Sequence, residues 1–118
     1  MELFLHFHHF DPGEEEDEVL SLLASDGITR RFEIASRAEH GNSVAIKIGD
    51  FDGSSIQQDA RDALAALSTD TLARLGQLQI DVSLRLHIGG MSAHFDPSVL
   101  RLAADKGVQI YVYNPCST

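Results

Sequence analysis

Residues 94–113 read HFDPSVLRLAADKGVQIYVY, and this stretch contains the signals that decide the fold. Asp96 before Pro97 is typical of a helix start, because an aspartate accepts hydrogen bonds from free backbone N–H groups and proline there loses no needed donor. Gly107 then predicts the helix end, since a left-handed residue commonly closes a helix. The following residues alternate as in a half-buried strand, and the apolar ones, expected to face a core, are Val108, Ile110 and Val112.

The same signals occur near the start of the chain. HFDP also occupies residues 9–12, and a Leu-x-Leu-His-apolar pattern precedes both copies, at residues 3–7 and 84–88. An apolar run that ends in glycine, at Gly27 and at Gly107, follows both copies. Three matched blocks in the same order favour an internal duplication of a strand–helix–strand unit. We therefore interpret HFDP as a repeated helix start, not as half of a metal or catalytic site.

The remaining sequence supplies further strands and helices. Alternation, helical periodicity and turn signals predict a strand over 28–37, a turn at 39–42, a strand over 44–48, a loop over 50–55, a helix over 55–75 with a break near 68–70, and a strand over 80–88. The first six elements of the order β-α-β-β-α-β-α-β are those of a ferredoxin-like fold. We expect one α+β domain over residues 1–118, two-layered, with a ferredoxin-like β-α-β-β-α-β core, an extra α-β and an internal β-α-β duplication.

One face of this sheet is expected to stay uncovered. The positions that alternate with the apolar ones, and so share that face, are His6, His8, Glu33, Lys47, Asp81, Arg85, His87, Tyr111 and Tyr113. Tyrosine and arginine are enriched at protein interfaces. Arg85, Tyr111 and Tyr113 are therefore candidate partner-binding residues, and a homodimer through the same face is an alternative.

The net charge indicates which classes of macromolecule the protein can bind. Eighteen acidic residues against nine Lys and Arg give a formal charge of −9. Nucleic acid is not expected as a partner, since binding phosphates requires clustered basic residues. A basic protein is compatible with the charge, because opposite potentials accelerate association. The candidate docking patch consists of Glu14, Glu15, Glu16, Asp17 and Glu18, although a solvated helix start is the simpler interpretation of this run.

Histidines on the predicted open face offer a second kind of site. His6 and His8 stand two residues apart on a strand, so their imidazoles share one face, and His87 lies on another strand of the same sheet. Zinc accepts two or three such ligands. A zinc site at His6, His8 and His87 is one interpretation, and a plain polar face is the other.

Recognisable catalytic motifs are missing from the sequence. It contains no glycine-rich phosphate loop with a lysine and no Gly-x-Ser-x-Gly elbow. The single cysteine, Cys116, excludes an internal disulfide and follows Pro115 in a tail, where a nucleophile is rarely held in place. No apolar run approaches the roughly 18 residues of a membrane span, and the first residues are unlike a secretory signal. We expect a cytoplasmic protein without enzymatic activity or membrane association.

The chain also resembles a known bacterial family. The resemblance, to the domain of unknown function 4279, rests on Asp11-Pro12 and Asp96-Pro97, on the helix end near residues 73–76, and on the pattern of residues 99–111. It covers most of the chain and supplies no catalytic residues. Small acidic bacterial proteins of this kind include immunity proteins, which neutralise toxins. The sequence thus predicts a protein-binding module of the immunity type, with a metal- or small-ligand-binding domain and a structural homodimer as alternatives.

Overall fold

A five-stranded mixed sheet and five helices make up the computed structural model, which describes residues 1–8, 14–36, 43–50, 56–88 and 94–113. The elements are β1 (Glu2–His8), α1 (Glu14–Ser25), α2 (Ile28–Arg31), β2 (Glu33–Ser36), β3 (Ser43–Asp50), α3 (Ile56–Ala66), α4 (Thr69–Gln77), β4 (Asp81–His87), α5 (Pro97–Lys106) and β5 (Gln109–Tyr113). The α+β class is therefore confirmed. In this part of the chain, no helix has the length and apolar character needed to cross a membrane.

The first strand lies at the centre of the sheet. The strand order is β2-β3-β1-β4-β5. β1 pairs antiparallel with both β3 and β4, and β2 pairs antiparallel with β3. β5 runs parallel to β4, and α5 forms the crossover between them, because parallel neighbours cannot be joined by a hairpin. The edges of the sheet are β2 and β5.

The helices pack on one face of this sheet. Leu3, Leu5 and Phe7 of β1 point to that face and have no exposed surface. In the register of the sheet, Leu5 stands beside Ile46 of β3 and Leu84 of β4. The same hydrophobic core contains side chains from all five helices, including Val19, Leu23, Ile28, Ala60, Leu64, Leu75, Val99 and Ala103. Burial of about 25 cal/mol per Å² of apolar surface is the main force that holds the two layers together.

The start of α5 lies where the sequence predicts it, but the predicted capping hydrogen bond of Asp96 is replaced by contacts of another residue. Asp96 is the N-cap and Pro97 the first helical residue, yet the Asp96 side chain makes no capping hydrogen bond. The side-chain amide of Gln57 holds this segment instead. It donates to the His94 carbonyl oxygen at 2.7 Å and accepts from the Asp96 backbone N–H at 2.7 Å. The other HFDP copy at residues 9–12, the turn at 39–42, the loop at 50–55 and Cys116 lie outside the described residues, apart from the backbone of Asp50.

Both predicted helix-ending glycines adopt the left-handed conformation. Gly27 has φ +77° and Gly107 has φ +69°. The Gly27 N–H donates to the Ala24 carbonyl at 3.0 Å, and the Gly107 N–H donates to the Ala104 carbonyl at 3.1 Å. Residues with a side chain rarely adopt this conformation, because Cβ crowds the following carbonyl. These two positions therefore fix the ends of α1 and α5.

The strand predicted over residues 28–37 is wrong at its start. Residues Ile28–Arg31 form α2, a single turn, and the strand begins only at Glu33, as β2 (Glu33–Ser36). The Phe32 N–H donates to the Ile28 carbonyl at 2.8 Å and so closes the turn. Ile28 is fully buried. A helical turn directly after Gly27 lets this side chain enter the core before the chain reaches the sheet edge.

Two further predictions have opposite outcomes. The break near residues 68–70 is confirmed, because Ser68 caps α4 by accepting from the Thr71 N–H, and Asp26 accepts from the Ser68 N–H at 3.0 Å. The prediction that Val112 faces the core is wrong, because its side chain is not buried. Val112 pairs with Leu86 but is 55% exposed. β5 is an edge strand, and the helical layer does not cover its far end.

Candidate functional site

The sheet face opposite the helices brings the predicted polar positions together. One row in the register crosses all five strands and consists of Glu33, Lys47, Phe4, Arg85 and Tyr111. Next to it, Glu2, His87 and Tyr113 form a parallel row, and the rows of His6 and of His8 follow on the other side. The alternation of the strands therefore places all nine predicted residues on one surface, called the open face below.

A concave pocket of about 530 Å³ lies on the open face. Its lining consists of Glu2, Phe4, His6, Glu33, Ala35, Ala45, Lys47, Arg85 and His87. The depression exists because Ala35 and Ala45 are small, while larger side chains stand on the neighbouring strands. Ala45 is 7% exposed although it faces away from the core. The volume lies within the roughly 300–1,000 Å³ typical of small-molecule sites.

Arg85 lines this pocket and is held by side chains that carry no negative charge. Its Nε–H donates to the Ser83 hydroxyl at 3.1 Å, and Nη2 lies 3.3 Å from Nδ1 of His8. Because an arginine can only donate, this contact is a hydrogen bond when the His8 Nδ1 atom is the unprotonated acceptor. The guanidinium carbon also stands 5.3 Å from the Tyr111 ring centroid and 5.8 Å from that of Tyr113. The arginine is thus fixed in one orientation.

An aromatic–arginine cluster, defined as Arg85, His87, Tyr111 and Tyr113, covers the part of the open face towards β5. The centroids of Tyr111 and Tyr113 are 6.2 Å apart in a stacked arrangement. His87 packs edge-on to Tyr113 at 5.4 Å and tilted against Phe4 at 5.1 Å. Both tyrosines remain 38% exposed. Rigid, partly exposed tyrosines beside an arginine have the composition of protein-binding hot spots.

His6 is an unusual histidine on the floor of the open face. Its ring lies 5.3 Å from that of His8, edge to face. Burial, together with the positive charge of Arg85 and the neighbouring His8 and His87, lowers the pKa of His6 to about 4. The ring is therefore neutral at pH 7. Its Nδ1 atom is buried and has no hydrogen-bond partner among the described residues.

The acidic run lies on the opposite side of the molecule. α1, which begins with Glu14, packs its Val19 and Leu23 into the core from the helical layer. Glu14 and Asp17 are exposed. Glu18 forms a bidentate ion pair with Arg74 of α4, at 2.7 and 3.2 Å, and this carboxylate raises the pKa of the arginine. The predicted partner-binding residues thus form two surfaces, and Glu18 belongs partly to the contact between two helices.

The predicted zinc ligands do not form a ready metal centre. Within the described ranges, no three His, Cys, Asp or Glu side chains come together in a way that could hold a metal ion. His6 and His8 adjoin each other, but His87 packs against Phe4 and Tyr113. A guanidinium beside both histidines further disfavours a cation.

The pocket lining includes four residues that the sequence did not predict as site residues, namely Glu2, Phe4, Ala35 and Ala45. Glu2 and Phe4 have the same alternation as His6 and His8, so the phase of β1 already places them on the open face. Ala35 and Ala45 gave no such signal, because a small residue forms a cavity only when larger ones surround it in three dimensions. Comparison of the chain with protein-family models, curated protein sequences and solved structures gives no match. The geometry of the open face is therefore the main evidence for function.

Proposed function

We propose that this protein is a small, acidic, cytoplasmic binding module without catalytic activity, and that a partner protein docks on its open face. The observation that carries the proposal is the aromatic–arginine cluster. Tyr111 and Tyr113 are stacked, partly exposed and in contact with the Arg85 guanidinium. Side chains ordered in this way lose little conformational entropy on binding, so more of the contact energy appears as affinity.

The charge of the protein supports a basic partner protein, and the role proposed here is that of an immunity-type inhibitor whose partner is a toxin. The formal charge is −9. The exposed acids Glu14 and Asp17 extend the negative potential to the side of the molecule opposite the open face. A field of this kind raises association rates with a basic protein. In this proposal the acids of α1 steer the partner and the open face holds it.

The double substitution Tyr111→Ala/Tyr113→Ala tests the docking surface. The protein is isolated from its native cells at moderate salt, and any stoichiometric basic protein that stays bound is identified by mass spectrometry. Affinity for that purified protein is then measured by calorimetry. We expect the double substitution to weaken binding at least about tenfold, as loss of central aromatic anchors does.

Leu100→Ala is the matched control, because Leu100 is 47% exposed on α5, in the helical layer. It should leave the affinity unchanged. Equal affinities for the wild type and the tyrosine variant would contradict docking on the open face. Recovery of the protein alone, with a dimer in sedimentation analysis that the tyrosine variant disrupts, would favour the structural homodimer instead.

We further infer that the chain is a ferredoxin-like unit extended by α5 and β5, and that it arose by internal duplication. The strand order β2-β3-β1-β4 and the antiparallel pairing within it support the first inference. The left-handed glycines Gly27 and Gly107, each one or two residues beyond a helix, support the second. The helical turn α2 after Gly27 has no counterpart after Gly107, where β5 follows. The resemblance to the domain of unknown function 4279 stays a prediction.

A further inference from the structure

We infer that the pocket on the open face binds a small-molecule carboxylate carried on a flat apolar group, with Arg85 as the partner of the carboxylate. This inference does not depend on a partner protein. It rests on the unbalanced charge of Arg85, on the buried nitrogen of His6 and on the shape of the pocket between them.

The charge of Arg85 is not balanced by a carboxylate in the described part of the chain. Its Nε–H and Nη2 meet a hydroxyl and an imidazole, and its guanidinium carbon stands over the rings of two tyrosines. None of these groups carries a negative charge. The remaining N–H groups, two at Nη1 and one at Nη2, have no partner among the residues described. A planar guanidinium with an open edge matches a carboxylate, which accepts two parallel hydrogen bonds.

His6 contributes a second polar side chain to the lining of the same pocket. Its Nδ1 is buried without a partner in the described residues, and the ring lines the pocket. A buried nitrogen without a hydrogen bond costs free energy. Because Nδ1 has almost no exposed surface, a ligand oxygen would remove that cost only after the ring turns to present this atom to the pocket. Because the ring is neutral, it can donate from Nδ1 while Arg85 carries the charge.

The shape of the pocket explains why the ligand needs a flat apolar part. Phe4 and His87 present their rings to it, and Ala35 and Ala45 leave space on the side of β2 and β3. A lone inorganic anion would leave most of the roughly 530 Å³ unfilled. An aromatic or similarly flat group fills such a space and stacks on the rings.

The other charges of the pocket disfavour a cationic ligand. Lys47 forms an ion pair with Glu2 at 3.4 Å, and Glu33 stands level with Lys47 in the register. The Glu2 carboxylate is therefore paired with a lysine, and Glu33 stands opposite the same lysine on the neighbouring strand. Arg85 already occupies the tyrosine faces that could have received an organic cation. A ligand cation would meet like charge, whereas a carboxylate would complete an ion pair.

Titration of the purified full-length chain with benzoate and 2-naphthoate tests this inference. Binding is followed by calorimetry and by backbone amide chemical shifts, at pH 7. We expect saturable binding, shifts centred on Phe4, His6 and Arg85, and no binding of 2-naphthalenemethanol, which has the ring without the charge. Arg85→Gln should weaken binding at least about tenfold, and Arg85→Lys should restore part of it, since lysine keeps the charge but not the fork.

Two further variants separate the pocket from the fold. Ala35→Leu should abolish binding by filling the pocket from an exposed position on the edge strand, without touching Arg85. Arg101→Gln removes the same charge from the exposed surface of α5 and should change nothing. The inference is overturned if neither carboxylate binds saturably, if the alcohol binds equally well, or if Arg85→Gln, shown to be folded by its amide spectrum, binds like the wild type.

Discussion

At the scale of single residues, the open face owes its character to one arginine among histidines and tyrosines. Arg85 carries a positive charge, and its contacts with Ser83, His8 and the two tyrosines fix its position without neutralising it. The charge therefore acts on nearby titratable groups. His6, which is partly buried, responds most clearly.

The pKa of His6 is the first prediction. Burial is the largest cause of its lowering to about 4, followed by the charge of Arg85 and the neighbouring His8 and His87. In the unfolded chain the ring returns to its ordinary pKa of about 6.5. Between these values the unfolded chain binds the extra proton, so the unfolding free energy should fall as the pH falls from about 6.5 to 4. Solvent screening at a partly exposed ring limits the loss to roughly 1–2 kcal/mol.

Ring-proton NMR titration measures the His6 pKa directly, and denaturant unfolding at several pH values measures the slope. In Arg85→Gln the pKa of His6 should rise, because the second cause of its lowering is removed. A midpoint near 6.5 in the folded wild type would contradict both the burial of the ring and the influence of the arginine. His6→Asn should remove most of the pH slope that this ring adds.

At the scale of elements, helix ends determine how the helical layer is assembled. Ser68 caps α4, and its N–H is held by Asp26, which lies just beyond α1. The pair of Glu18 and Arg74 joins the same two helices further along. The Gln57 amide performs a similar task between α3 and the segment before α5. The ends of the helices are thus fixed by polar contacts, and their sides are held by the core.

Gly107→Ala and Gly76→Ala should have opposite effects on stability. No atom outside the local backbone lies within 4 Å of a Cβ added at either position, so neither change causes a clash. Gly107 has φ +69°, and alanine there should cost roughly 1 kcal/mol of conformational strain. Gly76 lies within α4, where alanine should stabilise by about 0.5 kcal/mol through its helix propensity.

Urea unfolding of both variants measures the difference. Gly27→Ala serves as a second left-handed position, with φ +77° and an equally open surrounding. It should behave like Gly107→Ala. If Gly107→Ala were as stable as the wild type, the left-handed end of α5 would not be required by the fold.

At the scale of the whole molecule, the two candidate binding surfaces point in opposite directions. The aromatic–arginine cluster lies on the open face, whereas Glu14 and Asp17 start a helix of the other layer. One compact partner can contact either surface, and only a long-range field links the two. Steering therefore depends on the distribution of the −9 charge, not on direct contact.

Glu14→Gln/Asp17→Asn should slow association with a basic partner several-fold at low salt and leave the dissociation rate unchanged. Asp70→Asn/Asp105→Asn changes the net charge by the same amount at exposed positions of α4 and α5. Stopped-flow association at several salt concentrations compares the two pairs. Equal slowing by both would assign steering to the net charge alone, and an unchanged rate in the first pair would disprove it.

Much of this architecture follows from local patterns in the sequence. Period-two alternation predicts β1, β3 and β4 and the face to which each side chain points, and the glycines predict two helix ends. The turn α2 could not be predicted, because Ile28 and Phe32 are as compatible with a strand as with a helix. The helical conformation is favoured because it buries Ile28 against other elements, and such a tertiary contact is not visible in the local sequence. Val112 was misplaced for a related reason, since alternation does not reveal where the helical layer ends.

The candidate site was predictable as a surface and not as a pocket. The phase of the strands already brings His6, Arg85 and Tyr111 to one face. The depth of the pocket depends on Ala35 and Ala45 standing beside larger residues of other strands, which requires the register. The link between Glu18 and Arg74 is equally invisible in the sequence, because it joins residues of two separate helices.

The central position of β1 has a consequence for folding during synthesis on the ribosome. A ribosome makes Glu2–His8 before either neighbouring strand, yet both edges of this segment are satisfied only after β3 and β4 have emerged. Until then, the strand lacks backbone hydrogen-bond partners on the nascent chain. The apolar side chains that the folded protein buries, Leu3, Leu5 and Phe7, are also exposed to solvent. The first strand therefore gains partners on both edges only once residue 87 has left the exit tunnel, and β5 completes the sheet later still.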